Sequence, residues 1–217
     1  MNIAFYVSGK AGRLKKILEH GSEELIKSTK LIFSDDRQNS FLEKPALGLA
    51  IEYHCLDYQA IRRTDRSRNL ILSDELLELL RRHSVEYCFS FGDHLLKGEI
   101  LNEYKYRLIN FHPSILPMFP GRLSVDQAVD AGSNLLGNTA HFIGPGVDDG
   151  PIIMQHVVSA RVFKGDYDSI LDQQVVMLEQ IFAWLRSGRL SVNDDEVTVF
   201  GANYQGSAFF PELETEE

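Results

Sequence analysis

Short hydrophobic runs alternate with amphipathic stretches along the first half of the chain. Polar or glycine-containing residues follow these strand-length runs, which lie at 2–7, 31–34, 51–55, 86–91 and 107–111. Helices are predicted between them, around Leu14, Ile17 and Leu18, after Ser73 as a suitable N-cap, and over 97–103. Strands that alternate with helices predict a mainly parallel sheet with helices on both faces, an α/β fold.

The pattern changes after Gly121. Four further elements are predicted, namely a helix over 124–131, strands over 139–143 and 151–158, and the longest helix over 166–186. Ser187 and Gly188 are suited to end that helix. A short strand is expected at 197–200, and the acidic stretch from about residue 212 is expected to fray. We find no internal repeat and no linker, so residues 1–217 are expected to form one domain.

Composition narrows the class of protein. The chain has 217 residues, of which 44% are hydrophobic and 24% are charged, close to the averages for globular domains. Lys and Arg total 22 against 31 for Asp and Glu, which gives a net charge of −9. This sign argues against bulk nucleic-acid binding, because phosphate backbones attract basic surfaces.

Cysteine content and hydropathy narrow it further. Cys55 and Cys88 are too few for a disulfide framework and lack the neighbours of a zinc site, so both are expected to be buried thiols. No apolar run approaches the roughly 20 residues that span a bilayer, and the N-terminus has no pattern of a signal peptide. We therefore predict a cytoplasmic protein without membrane contact.

The loops that follow strands are the places to look for chemistry, since open parallel sheets bind ligands there. In the first such loop, Gly9 and Gly12 permit a tight turn into a helix N-terminus, and Lys10 and Arg13 add positive charge. This combination suits an anion. The alternative is a structural turn only, which any first strand-to-helix connection can use.

A second candidate is the segment from Asn110 to Pro117, at the end of a predicted strand. Asn110 and His112 are two residues apart, so their side chains leave an extended strand on the same face. A histidine can exchange a proton near neutral pH, and a carboxamide can donate to a developing oxyanion. The pair suits acyl transfer, and the alternative is a strand-capping histidine beside a turn asparagine.

The third candidate is the loop over 144–151, which holds Asp148 and Asp149. One of these carboxylates could orient His112 and stabilise its charged form, or both could simply face water. The other histidines are expected to be structural, except His94, which follows a predicted strand on the ligand side of the sheet. The histidines expected to be structural are His20, His54, His83, His141 and His156.

Taken together, these segments resemble one enzyme family. The run N-x-H-P-S-x-L-P at 110–117 and the run D-x-G-P-I-I-x-Q at 148–155 are specific, and a small-residue-to-aromatic strand at 137–142 precedes the second. In this order they resemble the 10-formyltetrahydrofolate-dependent formyltransferases. In length and layout the chain is similar above all to the members that act on glycinamide ribonucleotide. The resemblance implies a Rossmann-like fold.

The resemblance also implies roles for individual residues. Asn110, His112 and Asp148 would be the catalytic set. The co-substrate 10-formyltetrahydrofolate would be bound by a group of residues without any metal, and that group is Gly92, His94, Leu95, Leu96, Thr139, Ala140 and Val147. A small acceptor amine that carries phosphate would be bound by Gly9, Lys10, Gly12, Arg13 and Gly121.

Departures from the family pattern leave the acceptor open. The first loop reads Lys10-Ala11-Gly12-Arg13 where the ribonucleotide enzymes have an asparagine-rich phosphate loop, and their Glu-His pair is absent near Glu179. A nucleotide-linked amino sugar is therefore an alternative acceptor. A hydrolase that releases formate and an inactive folate- or nucleotide-binding module are further alternatives, and methionyl-tRNA fits poorly. The sequence does not predict an oligomeric state.

Overall fold

The computed structural model of the protein describes residues 1–62, 67–163, 165–206 and 208–210, so the acidic stretch from residue 212 lies outside the described residues. The strands are β1 (Ile3–Val7), β2 (Thr29–Ser34), β3 (Glu52–Cys55), β4 (Tyr87–Phe91), β5 (Leu108–His112), β6 (Leu135–Phe142), β7 (Ile152–Ser159), β8 (Leu190–Asn193) and β9 (Glu196–Val199).

Seven strands form one sheet in the order β3-β2-β1-β4-β5-β6-β7. The first five in this order are parallel, whereas β6 and β7 are antiparallel to their neighbours. The predicted mainly parallel α/β architecture is thereby confirmed. β8 and β9 form a separate hairpin.

Helices cover both faces of the sheet. They are α1 (Gly12–His20), α2 (Glu23–Ser28), α3 (Glu43–Gly48), α4 (Arg68–Arg82), α5 (Glu99–Glu103), α6 (Ser124–Asp130) and α7 (Tyr167–Arg186), with 3-10 turns at Arg37–Leu42 and Ala160–Val162. None of the described helices is long and apolar enough to cross a membrane.

Alternation along the strands divides the core into two layers. In β1, Phe5 packs in the layer that contains α1 and α7, while Tyr6 packs in the layer that contains α4 and α5. In β5, Phe111 belongs to the α1 and α7 layer, so Asn110 and His112 project from the opposite face. The polar side chains of Asn110 and His112 therefore lie on the same face of the sheet as α4 and α5, at the end of β5.

Several predicted boundaries were wrong. Ser73 is not an N-cap, because α4 begins after Ser67, whose hydroxyl accepts the hydrogen bond from Leu70 N. Ser73 is buried inside the helix, where its hydroxyl donates to Asn69 O at 2.6 Å and accepts from Lys97 N at 2.9 Å. The strand predicted at 139–143 starts earlier, at Leu135, and the helix predicted from residue 97 starts at Glu99.

Candidate active site

The predicted pair Asn110 and His112 projects from one face of β5, and a third polar side chain joins it from β6. Asn110 is opposite His141 in the antiparallel register, and its Nδ2 lies 3.2 Å from His141 Nε2. His112 is only 6% exposed. Amide and imidazole groups are thus packed together on a largely covered part of the sheet.

Asp148 lies over this face, on the loop that joins β6 to β7. Its Oδ2 is 3.3 Å from His112 Nδ1 and accepts a hydrogen bond from Gly121 N at 2.8 Å. Its Oδ1 lies 3.6 Å from His141 Nε2 and 3.5 Å from Asn110 Nδ2. The structure therefore brings together the three residues that the sequence proposed as a set.

The surroundings of Asp148 act on its pKa in opposite directions. Burial alone would raise the pKa, but the contact with His141, the N–H of Gly121 and the positive charge of His112 together lower it below its ordinary value. The carboxylate consequently stays ionised at neutral pH.

His112 has an acceptor on each ring nitrogen. Its Nε2 lies 2.9 Å from the carbonyl oxygen of Phe119, and its Nδ1 faces the Asp148 carboxylate. A carbonyl has no hydrogen to give, so Nε2 donates to Phe119 O, while Nδ1 is turned towards the Asp148 carboxylate. An oxygen on each side of the ring thus holds the imidazole in one orientation.

His141 was expected to be structural, but it is part of this centre. Its Nδ1 lies 2.8 Å from the carbonyl oxygen of Phe142, to which it donates, and its Nε2 faces both Asn110 Nδ2 and the carboxylate of Asp148. Only the register of β5 against β6 makes this contact. Residue spacing within β5 or within β6 does not show which residues of the two strands lie opposite each other.

The loop geometry separates Asp148 from its neighbour Asp149. Asp148 has a positive φ of 51°, which turns its side chain inwards. Asp149 is exposed, and its Oδ2 accepts from Gly146 N at 3.0 Å. Gly150 holds the loop against β6, since a Cβ there would lie 1.7 Å from the carbonyl oxygen of Phe142. The preference for Asp148 over Asp149 agrees with these positions.

A cavity of about 750 Å³ opens beside this centre, large enough for a substantial ligand. Of the residues predicted to bind folate or acceptor, those on its wall are Gly92, His94, Leu95, Leu96, Val147, Arg13 and Gly121. Gly9, Lys10 and Gly12 are not on that wall, and neither are Thr139 and Ala140.

Thr139 and Ala140 are fully buried in β6. The Thr139 hydroxyl accepts from Leu116 N at 3.0 Å and donates to Ser114 O at 2.7 Å. Its bonds thus go to the loop after β5, which carries Phe119 and Gly121. The structure gives Thr139 a supporting position behind the site, in place of the ligand contact that the resemblance implied.

Arg13 extends from the start of α1 to the cavity wall. Its Cζ lies 4.4 Å from the centroid of the Phe91 ring, and a guanidinium N–H donates to the side-chain oxygen of Gln174. Burial lowers the pKa of Arg13 to about 10, opposed by the charge of Asp93, so the group is cationic at neutral pH. Among the described residues it makes no ion pair.

A chain of buried amides holds Arg13. Gln174 and Asn138 are both 0% exposed, and Gln174 Nε2 donates to Asn138 Oδ1 at 2.7 Å. Asn138 Nδ2 in turn donates to Ile170 O at 2.8 Å, which fixes the orientation of both amides. Gln174 must therefore present its oxygen to Arg13.

Lys10 points elsewhere. It is exposed on the turn between Gly9, with φ 59°, and Ala11, with φ 46°. The two cations that the sequence grouped together are thus in different surroundings. In the described part of the chain, no group of three His, Cys, Asp or Glu side chains is arranged to hold a metal ion.

An α/β sheet that gathers two histidines and a carboxamide around one carboxylate, beside a cavity, has the features of an enzyme that acts on an acyl group. The sequence comparison gives the particular family. Residues 1–184 match the model of the formyl transferase family, and the chain belongs to that family.

Relatives and solved structures agree. The chain is 30% identical over 178 residues to phosphoribosylglycinamide formyltransferase of Bacillus subtilis, which covers 81% of this chain and 87% of that protein. It is 26% identical over 207 residues to the Escherichia coli protein of the same name, covering 93% and 94%. Glycinamide ribonucleotide transformylase 1 from Symbiobacterium toebii superimposes with a TM-score of 0.78 at 27% identity, covering 92% and 94%.

Proposed function

We propose that the protein transfers a formyl group from 10-formyltetrahydrofolate to the primary amine of a small phosphorylated acceptor, of which phosphoribosylglycinamide is the first candidate. The names of its relatives support this reaction and acceptor. The observation that carries the proposal is the His112 and Asp148 pair beside Asn110 on the wall of one cavity.

In this reaction the neutral amine attacks the formyl carbon. The new carbon–nitrogen bond forms, the bond from the formyl carbon to folate N10 breaks, and one proton passes from the amine to N10. Negative charge develops on the formyl oxygen, and the positive charge of His112 and an N–H of Asn110 stabilise it. Asn110 turns this N–H from its resting partners towards the oxygen.

Asp148 holds His112 in this scheme. Because its pKa is lowered, Asp148 is a poor proton acceptor, and its contact with His112 Nδ1 favours the imidazolium. The proton of the amine needs another carrier to folate N10, for which we propose a water molecule held by the Asp148 carboxylate beside His112. General acid–base assistance of this kind contributes on the order of 10² to 10⁴ in rate.

Arg13 is the group we assign to the acceptor's phosphate. It is a half-buried cation on the cavity wall, held by Phe91 and Gln174, and a guanidinium has donors to spare for phosphate oxygens. An anion in that position would offset the cost of burying its charge.

The experiment is an acceptor panel. Purified protein is incubated with 10-formyltetrahydrofolate and phosphoribosylglycinamide, with nucleotide-linked amino sugars, or with no acceptor, and the products are identified by mass spectrometry. Formyl-phosphoribosylglycinamide as the main product is the expected result. A formylated amino sugar would move the assignment to that acceptor class, while formate without any acceptor would indicate hydrolysis. No turnover with any acceptor would contradict the proposal.

A further inference from the structure

A second carboxylate–histidine pair lies in the same cavity, separate from the His112 and Asp148 centre. Asp35 follows β2, and its side chain is only 1% exposed. Its Oδ2 lies 2.8 Å from His94 Nδ1, 2.6 Å from the hydroxyl of Tyr6 and 2.6 Å from the hydroxyl of Ser8. Three groups thus converge on one buried oxygen.

An ionised carboxylate only accepts hydrogen bonds, so the partners of Asp35 must carry the hydrogens. Tyr6 and Ser8 donate their hydroxyl hydrogens to Asp35, and Ser8 also accepts from Asp93 N at 2.8 Å. His94 must therefore donate through Nδ1–H. In the neutral imidazole, Nε2 then has a free lone pair.

The ring of His94 is held on its face as well as on Nδ1. It stacks on Tyr58 with centroids 3.6 Å apart, and the hydroxyl of Tyr58 donates to Asn69 Oδ1 at 2.7 Å. Asn69 Nδ2 donates to Leu95 O at 2.6 Å, which closes the arrangement onto the segment that carries His94. The orientation of His94 is therefore fixed by packing and by hydrogen bonds.

His94 Nε2 is the part of the ring left for a ligand. His94 lines the cavity, its side chain is 27% exposed, and within the described residues Nε2 has no hydrogen-bond partner. Asp35 occupies the position at which dinucleotide-binding folds read a ribose, after the second strand. Here His94 covers that carboxylate, so the imidazole is what a ligand meets.

We infer that Asp35 is a positioning residue that fixes His94 as a hydrogen-bond acceptor for an N–H group of a substrate in the cavity. The inference rests on the proposed function for the identity of the substrates, since folate and the amine acceptor both carry N–H groups. Burying a carboxylate costs free energy, and this role explains why Asp35 is buried where packing alone does not.

The main test is Asp35→Asn, with Asp36→Asn as the matched control on the half-buried neighbouring carboxylate, which accepts from Gln38 N in a role that asparagine can keep. An asparagine can donate to His94 Nδ1 and so select the other tautomer, in which Nε2 carries the hydrogen. We expect the KM of one substrate to rise about tenfold while kcat changes by less than about twofold. Asp36→Asn is expected to leave both constants at the parent values. Equal constants in Asp35→Asn and the parent would overturn the inference.

Nitrogen NMR of the histidine rings provides a readout that does not depend on turnover. The signals missing from His94→Gln identify His94, and the parent protein at about pH 7.5 is expected to show the Nδ1–H tautomer. Asp35→Asn should shift this tautomer, and Asp36→Asn should not. An Nε2–H tautomer or an imidazolium in the parent would contradict the assignment, even if Asp35→Asn fails to fold.

Ligand titration of the parent protein separates the two substrates. 5-formyltetrahydrofolate and phosphoribosylglycinamide are added separately, and one of them is expected to shift the His94 Nε2 signal. A shift with folate in a protein that transfers no formyl group would retain this inference and overturn the proposed function. Active formyl transfer with no shift by either ligand would retain the proposed function and overturn this inference.

Discussion

His112 Nδ1 lies 3.3 Å from Asp148 Oδ2, although His112 is the last residue of β5 and Asp148 lies on the loop after β6. Gly121 N donates to the same carboxylate oxygen at 2.8 Å, so the loop after β5 and the loop after β6 are joined at this point. The pair therefore has two parts to play, in the charge of the site and in the arrangement of its loops. Substitutions that keep the shape and remove the charge can separate the two.

Asp148→Asn is expected to reduce kcat by about 10² or more and to leave the fold intact. The amide is isosteric and asparagine tolerates the positive φ at this position, but it cannot balance the charge of His112. Steady-state kinetics on an identified acceptor, together with circular dichroism, measure this. Asp149→Asn is the control, and its loss should stay below about tenfold because Asp149 is exposed. Equal losses in both variants would contradict the assignment.

Arg13→Gln should raise the KM of the acceptor by about tenfold or more, since a charge-assisted contact with phosphate would be lost. Lys10→Ala is a matched removal of charge from the same loop, and it should have little effect because Lys10 is exposed and off the cavity wall. Initial rates at varied acceptor and fixed folate measure both. A larger effect at Lys10 than at Arg13 would place the anion on the exposed turn instead.

A folate should stabilise the protein against heat, because a ligand that binds only the native state shifts the unfolding equilibrium. At a concentration about 100 times Kd the gain is about 2.7 kcal/mol, which raises Tm by roughly 5–10 °C in a chain of this size. Differential scanning fluorimetry with 5-formyltetrahydrofolate measures it, with a pterin-free glutamate as the control ligand. Equal Tm values at saturating folate and with the control would count against the folate pocket.

The stability of the fold should decrease as the pH falls through about 6.5, in part because of His156. Burial lowers the pKa of His156, so the folded state binds fewer protons than the unfolded state below the unfolded pKa. The stability is therefore fully present above that pH and is lost below it. His156→Gln should weaken this dependence in urea unfolding at several pH values, whereas the exposed His20→Gln should keep it. Identical pH profiles for both variants would refute this.

Gly150→Ala should destabilise the protein by about 1–3 kcal/mol, because the new methyl group meets a backbone carbonyl that has no room to move. The Cβ would lie 1.7 Å from Phe142 O. Gly48→Ala is the control, since no atom lies within 4 Å of a Cβ there. Urea denaturation measures both, and a parental midpoint for Gly150→Ala would show that the loop after β6 can adjust.

The strand and helix pattern predicted most of the fold because most runs of apolar residues correspond to strands buried on both faces, as in β1 and β2. Ser73 was misread because a serine before a leucine-rich stretch has the signature of an N-cap, whereas its hydroxyl serves the helix interior and the Lys97 amide. β8 was missed because its alternating, half-exposed residues gain order only by pairing with β9. The residue pattern within one strand does not show which other strand it pairs with.

The candidate site was predicted in part, for a similar reason. Asn110 and His112 are two residues apart, and local strand geometry is enough to place them on one face. The position of His94 after a strand marked it as a candidate, but its pairing with Asp35 and the contact of His141 with Asn110 depend on which strands are neighbours, and the local sequence does not show this. Thr139 was assigned to the ligand from the resemblance, yet its hydroxyl is already satisfied by the loop after β5.

The amides of Gln174 and Asn138 have a consequence for altering the enzyme's choice of substrate. They link the cavity cation Arg13 to the buried face of α7, at Gln174 and Ile170. A designer who wishes to retarget the acceptor would therefore vary Gln174 together with Arg13, because a new cavity residue without a matching partner in the helix would leave an amide unsatisfied. On the role proposed for Arg13, substrate preference is therefore encoded partly beyond the walls of the cavity.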